Sequence, residues 1–215
     1  MSTSEPRVWL VRHGETEWAR LKRHTGRTDV PLTDVGREQA AVIGRRLAGQ
    51  LFALVLTSPL ARATDTARLA GFGEVAIADP DLKEWNYGQL EGRLTTDIVN
   101  EFPGWTIWSG PWPGGETVNE VSARADRVLA RCLSEGGGGD ILLIGHGHML
   151  RVLAARWLGL AGRSGGMFAL STATVSVLGW EWAHPVIETW NEECHLDDQV
   201  SLAASREPEP PSTQP

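Results

Sequence analysis

Five arginine and histidine side chains in three separate parts of the sequence form a set that suits phosphate chemistry: Arg12, His13, Arg62, His146 and His148. Guanidinium groups keep their protons and match phosphate oxygens through paired N–H groups. A neutral imidazole is a competent nucleophile, and a second imidazole, if protonated, would stabilise the transferring group. Phosphoryl transfer depends mainly on positioning and on neutralising the phosphate oxygens. The set therefore predicts a site that binds a phosphate dianion.

Transfer from an ester also needs a proton donor for the departing alcohol. A carboxylic acid that stays protonated is the usual solution. Glu84 is the strongest candidate, because bulky residues flank it and glycine turns follow it. Gly14 and Gly147 lie beside the histidines, where the lack of a side chain lets the backbone approach a ligand closely.

The segments that must position these residues alternate between apolar strands and amphipathic helices. Strands are predicted at 8–11, 54–56 and 141–144, with an edge strand at 74–78 and closing strands at 174–180 and 185–190. Helices are predicted from the N-cap Thr33 to 51, from Pro59 onward, near 95–101, at 118–132, and after His148. This alternation predicts an α/β fold, a three-layer sandwich with a mostly parallel central sheet. Ligands of such sheets bind beyond the carboxyl ends of the strands.

Composition limits the classes of partner. The chain has 215 residues and a net charge of -7 without a Lys/Arg-rich block, so we expect no nucleic-acid partner. It has no apolar stretch of the roughly 18 residues needed to cross a membrane, and no signal-peptide pattern, so we expect a cytoplasmic protein. Cys132 and Cys194 make no disulfide framework. The pattern predicts one domain over 1–196 and a disordered acidic, proline-rich tail over 197–215. A monomer and a homodimer both remain open.

Motifs spread over residues 7–182 resemble the histidine phosphatase superfamily, which has the phosphoglycerate-mutase-like fold. They occur in the order Arg12-His13-Gly14-Glu15-Thr16, Thr25-Gly26, Pro31-Leu32-Thr33 with Gly36, Ser58-Pro59 with Arg62, Glu84 with Gly88 and Glu91-Gly92, and His146-Gly147. The segments 23–29, 84–88 and 146–151 look closest to the branch that contains broad acid phosphatases and phosphatases of the sedoheptulose-bisphosphatase type.

The resemblance implies a phosphate pocket and a role for each of its members. The pocket would consist of Arg12, His13, Arg62 and His146, with His13 as the phosphorylated nucleophile. Glu84 would donate a proton and later activate water. Further contacts to phosphate or substrate would come from Thr25, Gly26, Tyr87, Gly147 and His148. It implies a small phosphorylated metabolite as the substrate. It implies neither a metal nor another cofactor.

Departures from the family pattern narrow this interpretation. Many members have an asparagine that helps to hold the phosphate where this chain has Ala19. Cofactor-dependent mutases carry a lysine and an arginine pair where this chain has Thr95, Ser109 and Gly110. Without those cations a second phosphate would be poorly held, which favours a hydrolase over a mutase.

Three alternatives remain open: a mutase, a protein that only binds phosphorylated ligands, and a metal-dependent hydrolase. A metal could be held by His13, Glu84, His146 and His148, although Arg12 and Arg62 would repel it. His24 is a candidate for the site entrance. The tryptophans at 105, 108 and 112 either pack under a long loop or line that entrance.

Overall fold

The computed structural model describes residues 5–196, which contain one six-stranded sheet in the order β3-β2-β4-β1-β5-β6. Its strands are β1 (Val8–Arg12), β2 (Leu54–Thr57), β3 (Ile77–Ala78), β4 (Ile141–Gly145), β5 (Val175–Glu181) and β6 (His184–Glu192). β1, β2, β3 and β4 pair parallel with one another, and β5 pairs antiparallel with both β1 and β6. The predicted mostly parallel sheet is confirmed.

Helices cover both faces of this sheet. They are α1 (Glu17–Arg20), α2 (Asp34–Arg46), α3 (Ala61–Leu69), α4 (Thr95–Glu101), α5 (Val118–Glu135) and α6 (Gly147–Trp157), with short 3-10 helices at Pro80–Leu82, Gly88–Leu90 and Gly162–Met167. α2 packs with α3 on one face, and α5 packs with α6 on the other. The three-layer arrangement is therefore confirmed.

The strands β1, β2 and β4 are buried on both faces, which explains why they appear in the sequence as continuous apolar runs. Leu10 belongs to the core with α5 and α6, and its neighbour Val11 belongs to the core with α2 and α3. Leu143 and Ile144 on β4 alternate in the same way. Successive side chains of a strand point to opposite faces, so β1 and β4 hold both helix layers.

Local capping signals set several helix ends. The Thr33 hydroxyl accepts a hydrogen bond from Gly36 N, as predicted for the start of α2. Thr117 and Glu120 form a capping box at the start of α5. α5 ends at the glycine run, where Gly137 has a φ of 57° that most side chains avoid.

Three predicted boundaries are wrong. α3 begins at Ala61 rather than at Pro59, because Leu60 stays extended and Asp29 Oδ1 accepts the Ala61 N–H at 2.8 Å. α2 ends at Arg46 rather than near residue 51. β3 has two residues instead of five, because backbone hydrogen bonds to Phe72 O fold residues 75–76 into a turn.

The predicted tail at 197–215 lies outside the described residues, so its disorder and the domain boundary at 196 stay predictions. Cys132 is buried within α5, as its apolar position indicates, and Cys194 is exposed. Among residues 5–196, no helix combines the length and the apolar character required to cross a membrane.

Candidate active site

A cavity of about 270 Å³ opens at the carboxyl ends of β1 and β4. Seven of the predicted site residues line it: Arg12, His13, Thr25, Glu84, Tyr87, Gly147 and His148. The side chains of Arg62 and His146 are completely buried and do not reach the cavity surface, and neither does Gly26. The structure therefore brings most of the predicted set together and places three members behind it.

His13 is oriented by its own turn. Its backbone N–H donates to Gly145 O of β4 at 3.0 Å, which ties the end of β1 to the neighbouring strand. Its Nδ1 lies 2.7 Å from Gly14 O. A carbonyl oxygen only accepts, so Nδ1 carries the proton and the lone pair of the neutral ring lies on Nε2. Burial, followed by the charges of Arg62 and Arg12, lowers the pKa of His13 well below 6.5.

Arg12 lies beside His13 with an unused donor. Its Nη1 donates to Leu170 O, whereas its buried Nε has no hydrogen-bond partner within the described residues. Buried polar groups are normally paired, so an orphaned guanidinium N–H at a cavity indicates a place for an acceptor. Gly147 makes room for this arrangement, because a Cβ there would lie 3.2 Å from Arg12 Cζ.

His146 forms the layer behind His13, with the two ring centroids 5.1 Å apart. Its Nδ1 accepts from Arg62 Nε at 3.2 Å, and its Nε2 lies 2.7 Å from Ser58 Oγ. This pairing requires the proton on Nε2, which then donates to the serine. Burial is the first cause that lowers the pKa of His146 well below 6.5, with the charge of Arg62 next. The structure thus favours a neutral His146 rather than the protonated form considered above.

The loop from Thr25 to Thr28 is held from both sides by opposite charges. Arg62 donates to the carbonyl oxygens of Thr28 at 2.9 Å, Gly26 at 2.8 Å and Thr25 at 3.4 Å. The Glu91 carboxylate accepts the three N–H groups of residues 26–28 at 2.7–3.1 Å. Gly26 is required there, because a Cβ would lie 2.6 Å from Trp85 O. Gly26 thus shapes the loop that brings Thr25 to the cavity.

Glu84 is buried and lies at the N-terminus of α6. Its carboxylate accepts from Trp85 N at 2.8 Å, His148 N at 3.0 Å and Met149 N at 2.9 Å. The exposed N–H groups of a helix start suit a carboxylate. These three bonds fix the orientation of the Glu84 side chain at the cavity wall.

Aromatic and imidazole rings form another wall of the cavity. The Tyr87 hydroxyl and His148 Nδ1 share a hydrogen bond of 2.6 Å, and the His24 ring packs edge-on against Tyr87. Burial lowers the pKa of His148 well below 6.5 and raises the pKa of Tyr87 well above 10. His24 does line the cavity, as the entrance hypothesis predicts.

The three tryptophans of the 105–112 segment do not line the cavity; they support it. Trp105 is buried, and Trp108 packs its ring 5.3 Å from the His148 ring. The Arg151 guanidinium also lies over the Trp108 ring, 4.7 Å from the ring centroid. The packing interpretation of this cluster is the one that the structure supports.

Sequence reasoning missed three cationic side chains that line the cavity: Lys22, Arg23 and Arg151. Lys22 lies beyond the end of α1 with a left-handed φ of 56°, so helical spacing does not predict that its side chain reaches the cavity. Arg151 donates hydrogen bonds to Gly165 O and Gly166 O. These two acceptors lie in a different segment of the sequence from the His146-Gly147 motif.

Within the described residues, no group of three histidine, cysteine, aspartate or glutamate side chains is placed to hold a metal ion. The four side chains considered above for a metal site are used differently here. Glu84 accepts backbone N–H groups, and both nitrogens of His146 have hydrogen-bond partners in Arg62 and Ser58.

The family model described as histidine phosphatase superfamily (branch 1) matches residues 8–193. The chain belongs to this superfamily. An acid phosphatase of Mycobacterium tuberculosis is 41% identical, over 84% of this chain and 90% of the relative. A sedoheptulose 1,7-bisphosphatase of Saccharomyces cerevisiae is 35% identical, over 74% and 70%. Bacterial proteins named as probable phosphoglycerate mutases also match.

A solved structure of an open reading frame product from Mycobacterium tuberculosis superimposes with a TM-score of 0.83 at 39% identity. The alignment covers 86% of this chain and 97% of that one. The predicted family, its fold and its phosphatase-type relatives are thereby confirmed, as is the enzyme class, a phosphatase.

Proposed function

We propose that this chain hydrolyses small phosphate monoesters without a metal, through a phosphohistidine on His13. What supports the proposal most is the His13 ring, whose Nδ1–H donates to Gly14 O so that its lone pair lies on Nε2. Arg12 lines the same cavity, so a fixed cation accompanies the nitrogen that is proposed to attack.

In the first step, the Nε2 lone pair attacks phosphorus, the N–P bond forms and the bond from phosphorus to the ester oxygen breaks. Glu84 supplies the proton that the departing oxygen needs. The alcohol then leaves through the open side of the cavity.

In the second step, water attacks the phosphohistidine. The Glu84 carboxylate takes a proton from that water, the N–P bond breaks, and inorganic phosphate leaves with His13 neutral again. Both half-reactions balance without any further reactant. The same carboxyl group acts first as the general acid and then as the general base.

Charge around the transferring group comes from both arginines in this proposal. Arg12 lines the cavity, and Arg62 lies behind it, close enough for the charges of both to lower the pKa of His13. His146 supports Arg62 by accepting its Nε–H. Fixed cations of this kind stabilise developing charge without reorganising.

The cavity volume of about 270 Å³ fits a small metabolite, in keeping with the proposal of a sugar phosphate, a sugar bisphosphate or a broad range of esters. The names of the acid phosphatase and bisphosphatase relatives support this range. Neither a nucleic acid nor a membrane surface is part of the proposal.

The test is hydrolysis of p-nitrophenyl phosphate in excess EDTA, comparing the natural chain with His13→Ala and with His184→Ala as an exposed control. We expect turnover that persists in EDTA, is abolished by His13→Ala and is unchanged by His184→Ala. Turnover that needs an added divalent ion, or that survives in His13→Ala, would contradict the proposal.

The relatives named as mutases make a phosphoglycerate mutase the second candidate. It predicts interconversion of 2- and 3-phosphoglycerate when bisphosphoglycerate is present. The proposed phosphatase instead releases inorganic phosphate from the same mixture, so a single assay that follows both products separates the two activities.

A further inference from the structure

We propose that Lys22 and Arg23 form a second anion subsite at the mouth of the cavity, which binds a second phosphate on the substrate. This inference rests on the proposed function, because the subsite lies in the same cavity and faces the leaving group. It predicts that a bisphosphate is a better substrate than the matched monophosphates.

Positive charge exceeds negative charge around the cavity. Four cationic side chains line it, Arg12, Lys22, Arg23 and Arg151, against the one carboxylate of Glu84. Arg12 lies beside His13, and Arg151 is fixed on Trp108 and two carbonyl oxygens. Lys22 and Arg23 remain as exposed cations without an acidic partner among the described residues. One phosphate dianion at His13 leaves them unmatched.

Lys22 has an unusual backbone conformation. Its φ is 56°, in the left-handed region that residues other than glycine and asparagine rarely adopt. Its N–H donates to Ala19 O at 3.1 Å, so the chain turns directly after α1. Residues held in rare conformations cluster at ligand sites, where the surrounding structure offsets the cost. Here the turn places the lysine side chain on the cavity wall.

The cavity wall beside Lys22 carries a small side chain, that of Ala19. Ala19 and Lys22 both line the cavity and are three residues apart. The small methyl of Ala19 leaves room on that wall for the longer side chain. Arg23 is oriented by the hydrogen bond from its Nη1 to Gly92 O at 2.7 Å, which leaves its other donors available.

The direction of attack determines where the leaving group lies. Attack by His13 Nε2 is in line with the departing oxygen, so the leaving group points away from the buried histidine. His13 is 4% exposed, whereas Lys22 and Arg23 are exposed. The leaving-group part of the substrate therefore extends toward the open side of the cavity, where the exposed side chains of Lys22 and Arg23 would match a phosphate.

The test compares kcat/KM for fructose 1,6-bisphosphate with that for fructose 1-phosphate and fructose 6-phosphate. Lys22→Gly and Arg23→Gln should each reduce the preference for the bisphosphate by about tenfold, and Arg20→Gln, a cation of the same turn that pairs with Glu17, should leave it unchanged. An unchanged preference in both cavity variants would overturn the subsite. If the two variants instead reduce kcat/KM only for 3-phosphoglycerate, the subsite binds a carboxylate. That result would overturn the proposal that it binds a second phosphate.

A binding measurement separates this inference from the proposed function. In the His13→Ala background, the Kd of the bisphosphate is measured by calorimetry with and without Lys22→Gly. We expect weaker binding together with an equal or higher Tm, because glycine adopts the left-handed conformation without strain. Unchanged binding with a lower Tm would show that Lys22 serves the fold alone and would overturn the subsite, whatever the turnover assays show.

Discussion

At the scale of single residues, the pKa of His13 governs how the proposed reaction depends on pH. The neutral imidazole is the nucleophile, and burial with the nearby charges of Arg62 and Arg12 lowers its pKa well below 6.5. We therefore expect kcat/KM to persist as pH falls through 6.5 and to be lost only as pH falls through the lowered pKa. The measurement is a pH profile of kcat/KM with p-nitrophenyl phosphate. A rate that already halves near 6.5, in parallel with an NMR titration of the His13 ring, would contradict this assignment.

Glu84 has a separate signature, because it protonates the leaving group. Glu84→Gln keeps the shape and loses the proton, so phosphorylation by sugar phosphates should slow by about a hundredfold or more. Nitrophenol needs little protonation, so single-turnover release of nitrophenol should be affected far less. Equal losses on both esters would contradict the proton-donor role.

At the scale of elements, the loop of residues 25–28 depends on Glu91 and Arg62, which hold its N–H groups and carbonyl oxygens. Glu91→Gln replaces one acceptor oxygen by a donor that faces backbone N–H groups. We expect a loss of about 3 kcal/mol in the free energy of unfolding and faster amide exchange at residues 26–28.

Glu135→Gln is the matched control for that variant, since Glu135 pairs with Arg131 on the exposed side of α5. It should change the free energy of unfolding by less than about 1 kcal/mol. If Glu91→Gln leaves amide exchange of the loop as slow as in this control, the loop does not depend on the carboxylate.

The elements that sequence predicted well carry their signals locally. α2 has the cap Thr33, α5 ends in glycines, and β4 is a continuous apolar run. The start of α3 could not be predicted, because Asp29 caps it from 32 residues away. Lys22 was missed because lysine has no preference for the left-handed conformation that turns it into the cavity.

At the scale of the whole molecule, parallel strands explain why the site residues converge. β1 and β4 are neighbours in the sheet, so Arg12, His13 and His146 meet at one edge. That convergence follows from the strand–helix alternation and was predictable. The sequence does not predict which site residues line the cavity and which are buried behind it. That division depends on the hydrogen bonds that Arg62 donates to carbonyl oxygens of the loop of residues 25–28.

Buried histidines also make the fold sensitive to acid. His13, His146 and His148 all have pKa values lowered well below 6.5 by burial. Below pH 6.5 the unfolded chain takes up protons that the folded chain does not. The free energy of unfolding therefore decreases as the pH is lowered, by up to about 1.4 kcal/mol per pH unit for each histidine.

Urea denaturation at neutral and mildly acidic pH measures this dependence. His148→Gln should make it shallower, and His184→Gln, which changes an exposed histidine, should leave it as it is. Identical pH dependence in the natural chain and in His148→Gln would show that His148 is not buried in its neutral form.

The most direct measurement of the central claim is to trap the phosphoenzyme. Glu84→Gln, which retains His13 but lacks the base for the second step, is mixed with p-nitrophenyl phosphate and quenched under alkaline denaturing conditions, where phosphohistidine survives. Mass spectrometry of the peptides should find one phosphoryl group, on His13, and none when His13→Asn is added. Turnover of the natural chain with no phosphoryl group on His13 in the trapped variant, or with the group on another residue, would contradict the account.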